Sequence, residues 1–366
     1  MFPMGTQILA GDIGERKQPS LPLPFGTRLL TENSMNIQLS IGMANNPRTR
    51  AIFDGRVAPD GIDLICTPMH ASELFWRQLH FGDFDISEMS MSSLMMAVAN
   101  GDTRWVGIPV FTTRKMFHTG ILVRKDRNIK KPEDLKGKKI GVPEYQQTAA
   151  LWTRGILQQE WGVTAQDIGE WWMERNPEHS HGGKMGFKAP PGVKLFYIPT
   201  TTNMGEMLLE GKLDGAVHYL ARTNNLVDRS SADLNNHPDF ATLFSDPQAE
   251  GVRYYKKTGI YPINHGMVIK REIAEKHPWT VLNILKAFDQ ANALAEHERK
   301  QANEYHIESG LVSKESAKAL SVPLVKHGVK ANRTVLETAA LFSFEQGLTP
   351  RLMKLEELFA PSVMQQ

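Results

Sequence analysis

Side chains able to hold an anion or move a proton gather at four places in this 366-residue chain, each after an apolar, strand-like run. Arg48 and Arg50 lie in the polar loop 45–50. A planar guanidinium grips a carboxylate through two parallel hydrogen bonds, and the plainer alternative is solvation or pairing with Asp54. Ser87, Glu88, Ser90 and Ser92 stand just before a short apolar stretch. Hydroxyls and free N–H groups at a helix start make an anion site, while simple N-capping would occupy one serine. Glu144, Tyr145 and Gln146 open the next helical pattern. Tyr145 or Gln146 suits a phenol, and Glu144 is either a proton carrier, if burial raises its pKa, or a favourable first-turn charge. Tyr261 and His265 fall in 261–265, where Pro262 points to a sheet edge or hinge lining a cleft. His265 is the preferred general acid, with a core histidine satisfied by backbone groups as its alternative. His118, beside Arg114 and Phe117, is a second proton-transfer candidate. His179 and His181 are two residues apart in 174–183, and without converging ligands this stretch reads as a mobile polar loop; no metal is expected.

Positioning these loops is the task of an alternating α/β text. From Met35 onwards strand-like runs at 37–42, 62–66, 84–89, 105–111 and 120–123 alternate with helical patterns at 71–80 and 93–100, the latter stopped by Gly101. A charged stretch at 124–130 precedes a new start at Lys131-Pro132. The spacing then predicts a strand to Val142, a helix over 148–161 ended by Gly162, a strand at 193–198 and a helix at 204–209 closed by Gly211, then a short strand at 216–217. Residues 222–257 read as polar and irregular. Beyond Pro278 the chain is mainly helical, with Val281, Leu282, Leu285, Phe288, Ala291 and Ala295 on one stripe. These breaks give a leader (1–34), a first lobe (35–124 with 258–366) and a second lobe (125–257). The leader lacks the basic start and the apolar run of about 7–15 residues of a secretory signal, so it reads as disordered and the protein as cytoplasmic.

Composition narrows the classes further. With 42 basic and 40 acidic residues the formal charge is +2, which sets up no field for nucleic acid or a membrane surface. At 41% hydrophobic and 22% charged the chain is expected to fold rather than stay disordered. The longest uncharged run, 33–47, has 15 residues rich in Asn and Ser and builds no transmembrane helix. Cys66 is the one cysteine, which excludes an internal disulfide and a Cys-based zinc site; within IDLICTP it reads as a small buried hydrophobe. There is no dinucleotide fingerprint, P-loop or G-x-S-x-G elbow, so nucleotide chemistry and serine hydrolysis lose their usual footing.

The run EDLKGKKIGV (133–142) resembles the opening of the second lobe in periplasmic-binding-protein-like, type 2 folds. That implies an α/β, two-lobe architecture with the ligand cleft between the lobes. From Met35 to about Ala360 the chain resembles the 4,5-dihydroxyphthalate decarboxylase family, on residues 45–50, DFDISEMSMS (83–92), DLKGKKIGVPEYQQTAALW (134–152), YPINH (261–265) and EIAEKHPW (272–279). The resemblance implies conversion of 4,5-dihydroxyphthalate to protocatechuate and CO2, in phthalate degradation, with no redox cofactor. In such a reaction Arg48 with the Ser90/Ser92 loop would hold carboxylates, and His265 would give the ring a proton. Tyr145 or Glu144 would sit near the phenols. The rival reading is a solute-binding protein of an ABC-type transporter for a small aromatic or related anion, because lobe closure traps a ligand in either case. Pyrimidine-precursor enzymes of the same fold use cysteine and histidine residues that this chain does not reproduce. The charge balance leaves a homo-oligomer open.

Overall fold

The computed structural model describes residues 36–182, 187–320 and 326–366, so the expected leader lies outside the described residues. In chain order the elements are β1 (Ile37–Met43), α1 (Arg50–Phe53), β2 (Ile62–Pro68), α2 (Ala71–Phe81), β3 (Ile86–Ser90), α3 (Met91–Ala99), β4 (Trp105–Arg114) and β5 (Leu122–Arg124). They continue with β6 (Lys139–Val142), α4 (Thr148–Trp161), β7 (Glu170–Met173), β8 (Leu195–Tyr197), α5 (Met204–Leu209), β9 (Gly215–Ala216), β10 (Phe240–Thr242) and α6 (Pro247–Thr258). The last are β11 (Ile263–Lys270), α7 (Arg271–Lys276), α8 (Trp279–Glu308), α9 (Lys314–Leu320), α10 (Val329–Glu345) and α11 (Leu355–Leu358).

One sheet has the order β2-β1-β3-β11-β4 and the other β10-β5-β9-β6-β7-β8. β1 pairs parallel with β2 and β3, whereas β11 runs antiparallel to β3 and β4. The chain therefore leaves the first sheet after β4 and re-enters it at β11, which makes two lobes joined by two crossings. The α/β, two-lobe expectation is met. β5, assigned from sequence to the first lobe, pairs with β9 and β10 in the second sheet, so the first crossing falls at 115–121. Residues 222–257 are less irregular than their text: they hold β10 and most of α6, whose buried residues are only Gly251 and Tyr254, too few to print an apolar stripe.

Pro262 meets the hinge half of its expectation and not the edge half. It stands one residue before β11, where its missing N–H costs no ladder bond, and β11 itself lies inside the sheet between β3 and β4. Facing β11, the register along β4 jumps from Ile108 opposite Met267 to Thr113 opposite His265, an irregularity that bends the strand away and turns the start of β11 towards the other lobe. Helix boundaries follow local chemistry. α2 starts at His70, whose Nδ1 accepts the Ser72 N–H at 3.3 Å, and ends at Gly82 with φ of 68°. On α8 the predicted stripe is buried except for Leu282, which is 37% exposed. Cys66 is half-buried rather than fully buried. Among the described residues no helix is long and apolar enough to cross a membrane.

α4 is buried along residues 148–157 and packs on α10. A Cβ at Gly155 would collide with the ring of Phe342 on α10. Gly155→Ala should gain about 1 kcal/mol of helix propensity and lose about 1–3 kcal/mol to overpacking. A net fall in melting temperature is therefore expected by thermal denaturation; a rise would show that Phe342 repacks freely.

Candidate active site

A cavity of about 210 Å3 lies between the lobes and takes its walls from strand ends of the first sheet and from loops and a helix of the second lobe. Three helices open onto it by their N-termini: α2 through His70, Ala71 and Ser72, α3 through Ser90, and α4 through Gln147, Thr148 and Ala149. Each end carries unpaired N–H groups and a partial positive charge, so their convergence favours an anion. Ser90 occupies the N-cap position of α3, yet its hydroxyl makes no capping bond, contrary to the plainer expectation. It lies 2.8 Å from Thr148 Oγ1, which also accepts the Ser92 N–H at 2.9 Å. Ser92 Oγ donates to the Gln146 carbonyl at 2.5 Å, behind the cavity wall. The start of α3 in one lobe is thereby tied to the start of α4 in the other.

His265 enters the cavity from the irregular start of β11, beside Asn264. Its Nδ1 is 3.4 Å from Glu88 Oε1, and its Nε2 is 2.8 Å from Asn264 Nδ2. The edge of Phe75 packs on the imidazole with centroids 4.7 Å apart. Glu88, on β3, is wholly buried. Its Oε2 accepts the Ala44 N–H at 2.7 Å and its Oε1 accepts the Thr112 hydroxyl. Burial works against ionising Glu88, but His265, Thr112 and the Ala44 N–H outweigh it and hold the carboxyl below the usual range. The site thus presents an imidazole backed by a buried anion.

A second network closes the far wall. Arg175 follows β7 and is buried; its Nε donates to Asp228 Oδ1 at 2.9 Å, and its Nη2 donates to the same oxygen and to Ser72 Oγ at 2.6 Å. Nη1 lies 3.8 Å from Glu144 Oε1. Burial would raise the Asp228 carboxyl, but Arg175 and Asn225 bring it down to about 2. His181 is locked through both nitrogens, Nε2 at 2.5 Å from Glu144 Oε2 and Nδ1 at 2.8 Å from Ser93 Oγ. Trp76 Nε1 donates to the Glu178 carbonyl at 2.7 Å, His80 Nε2 is 3.1 Å from the Ser180 carbonyl oxygen, and Asn225 Nδ2 is 3.1 Å from His70 Nδ1. α2 of the first lobe is therefore pinned to the loops of the second.

Of the residues singled out from sequence, the structure brings His265 and Ser90 to the cavity wall. Glu144 and Gln146 lie one layer behind, joined by a 2.9 Å hydrogen bond. The expectation that burial raises Glu144 is reversed: burial does push it up, but His181 and Arg175 prevail and keep it ionised. Tyr145 is buried under Arg154, 3.8 Å from guanidinium to ring centroid, and away from the cavity. Arg48 gives its guanidinium to the Thr112 carbonyl, Tyr261 Oη reaches the Arg114 carbonyl at 3.3 Å, and Arg50 is exposed; none of the three lines the cavity. His118 is enclosed by Trp161, Phe244 and Tyr254, with Nε2 at 3.1 Å from Glu250. The stretch read as a mobile polar loop packs instead, with Arg175, Ser180 and His181 all buried. His179 turns to Asn176, so the two histidines have separate partners.

Sequence reasoning missed Arg175, His181, Lys115, Thr148 and His218 as wall residues. Thr148 was within reach as the first residue of the predicted helix. His327, buried beside Phe111, accepts that residue's N–H at Nδ1 and is lowered to about 3, by burial first and then by the charges of Arg48 and Arg114. The unfolded chain protonates this imidazole near its ordinary pKa of about 6.5, so stability is full above that and lost as pH falls towards 3. Denaturant melts should show a loss of about 2 kcal/mol from this group between pH 7 and 5, and His327→Gln should flatten the slope.

The two sheets, two crossings and helix-lined cleft define a periplasmic-binding-protein-like, type 2 fold. The alkanesulfonate-binding protein SsuA of Xanthomonas axonopodis pv. citri, solved with MOPS bound, superposes with a TM-score of 0.52 at 15% identity, over 90% of this chain and 99% of its own. A family model described as the periplasmic substrate-binding protein of a phosphonate ABC transporter matches residues 61–182. The 4,5-dihydroxyphthalate decarboxylase of Comamonas testosteroni is 32% identical over 332 residues, which cover 90% of this chain and 98% of that one. The Pseudomonas putida enzyme of the same name is 35% identical over 224 residues, 61% of this chain and 83% of its own. This chain belongs to the 4,5-dihydroxyphthalate decarboxylase family.

Proposed function

We propose that the chain is a carboxy-lyase that converts 4,5-dihydroxyphthalate to protocatechuate and CO2, with His265 protonating the ring. The observation that carries the assignment is the imidazole of His265 set between the buried Glu88 carboxylate and the interlobe cavity. A cavity of about 150 Å3 already admits benzene, so the space suits one substituted ring. The retained carboxylate rests on the N–H groups at the start of α4, with the Ser90 and Thr148 hydroxyls beside it and Lys115 at the rim. That places it on helix ends rather than on Arg48, whose guanidinium is already committed.

A ring hydroxyl para to the departing carboxylate pushes electron density onto the carbon that bears it. His265 as imidazolium gives its proton there and a C–H bond forms. The C–C bond to the carboxylate then breaks, its electron pair restores the ring, and CO2 leaves. Glu88 stabilises the imidazolium, and a solvent proton restores it after each turnover. A cytoplasmic setting is part of this reading and is checked by cell fractionation.

The test is incubation of metal-stripped and metal-replete protein with 4,5-dihydroxyphthalate, following CO2 and product by chromatography. Protocatechuate from both samples is expected. Saturable binding without turnover in either would replace the enzyme by a receptor.

A further inference from the structure

Four imidazoles line the cavity, and three have hydrogen-bond partners. His70 takes the Ser72 N–H, His181 joins Ser93 and Glu144, and His265 joins Asn264. His218 has no hydrogen bond on either ring nitrogen among the described residues, only a ring contact and the charges around it. Its backbone sits at φ of 55°, a left-handed conformation that costs a non-glycine residue roughly 1–2 kcal/mol. The neighbouring chain enforces it: the Val217 N–H is held by the Gly141 carbonyl at 2.9 Å, and Tyr219 Oη donates to the Ala232 carbonyl at 2.8 Å. Phe117 packs edge-on against the ring, with centroids 5.4 Å apart. A strained, side-packed imidazole is thus held in the cavity wall with no hydrogen-bond partner among the described residues.

The charged and backbone groups around it are donors. Lys115 and the helix N-termini suit carboxylates, Arg175 is committed to Asp228 and Ser72, and the Ser90 and Thr148 hydroxyls bond each other. A ring hydroxyl needs an acceptor. We propose that His218 selects hydroxylated rings, its unengaged nitrogen accepting a hydrogen bond from a ring hydroxyl of the substrate. This rests on the decarboxylase reading for the identity of the substrate, though not for the hydrogen bond. Burial first, and then the charges of Lys115, Arg175 and His265 against the opposing Asp228, bring His218 down to about 3, so it keeps a lone pair at neutral pH. It orients the hydroxyl, and donation from that hydroxyl enriches the carbon para to it.

Calorimetry with benzoate and 3,4-dihydroxybenzoate, neither of which needs to turn over, separates recognition from catalysis. Wild type should bind the dihydroxy acid about tenfold more tightly or better. His218→Gly accepts the left-handed backbone, and it should erase that preference while binding benzoate as before. His218→Asn tolerates the same backbone and carries a shorter acceptor, so an intermediate preference is expected. Equal weakening of both acids would mean a structural role and overturn the proposal, as would a wild type without preference or a variant that retains it in full. Loss of preference in His218→Gly, with no CO2 released by wild type, would sink the decarboxylase reading and leave His218 as a hydroxyl reader.

Discussion

His265→Gln is expected to lower kcat by about 10²–10⁴, the span of a positioned general acid, with a much smaller change in KM. The split follows from when the interaction is made. In the proposed reaction the proton reaches ring carbon only in the transition state, whereas the substrate carboxylates would rest on helix N-termini that the substitution leaves in place. Glu88→Gln is the companion experiment. It keeps the acceptor for the Ala44 N–H at 2.7 Å and removes the charge 3.4 Å from His265 Nδ1. The imidazolium then loses its stabilising anion, so kcat should fall less than in His265→Gln. Full turnover by His265→Gln would place the proton donor elsewhere on the wall, and an unchanged kcat in Glu88→Gln would reduce Glu88 to a packing role.

The text of the chain carries the architecture well because strand and helix periods are local. The helix at 148–161 and the one at 204–209 both appear with their predicted limits, fixed by Gly162 and Gly211. The site is only partly written there. Ser90 and His265 stand beside recognisable strand ends, and those are the two sequence candidates that reach the cavity. Arg48 has the right chemistry for a clamp, yet the irregular stretch of β4 offers it the Thr112 carbonyl, a partner 64 residues away that no local pattern announces. Glu144 fails as a proton carrier for a similar reason, since His181 and Arg175 arrive from the loop after β7 and reverse the effect of burial. That loop is rich in Pro, His and Gly and reads as solvated. Its burial depends on α2 of the other lobe, which is tertiary information. His218 gives no sequence signal at all, because its left-handed backbone is imposed by neighbours in the second lobe.

Arg175→Met should damage stability and substrate binding together, for separable reasons. In stability the loss comes from what remains: Asp228 keeps its bonds from Asn225 Nδ2 and the Thr223 hydroxyl but has no cation, and an uncompensated buried charge costs about 3–5 kcal/mol. With Arg175 present the Asp228 carboxyl sits near 2, below its unfolded value, so its contribution is full above pH 4 and lost as pH falls through 2. Without Arg175, burial dominates and the sign turns over. Protonation then relieves the orphaned carboxylate, so the gap in melting temperature between variant and wild type should narrow as pH drops from 7 to 4. Substrate binding suffers through the 2.6 Å bond from Arg175 to Ser72, one of the ties between α2 and the second lobe; KM should rise by about tenfold for the loss of a charged hydrogen bond. Adding Asp228→Asn removes the stranded charge and should recover much of the stability, but it cannot rebuild the tie to Ser72, so KM should stay high. If the double variant regained both, Arg175 would act only by neutralising Asp228, and the tie to Ser72 would have no part in holding substrate.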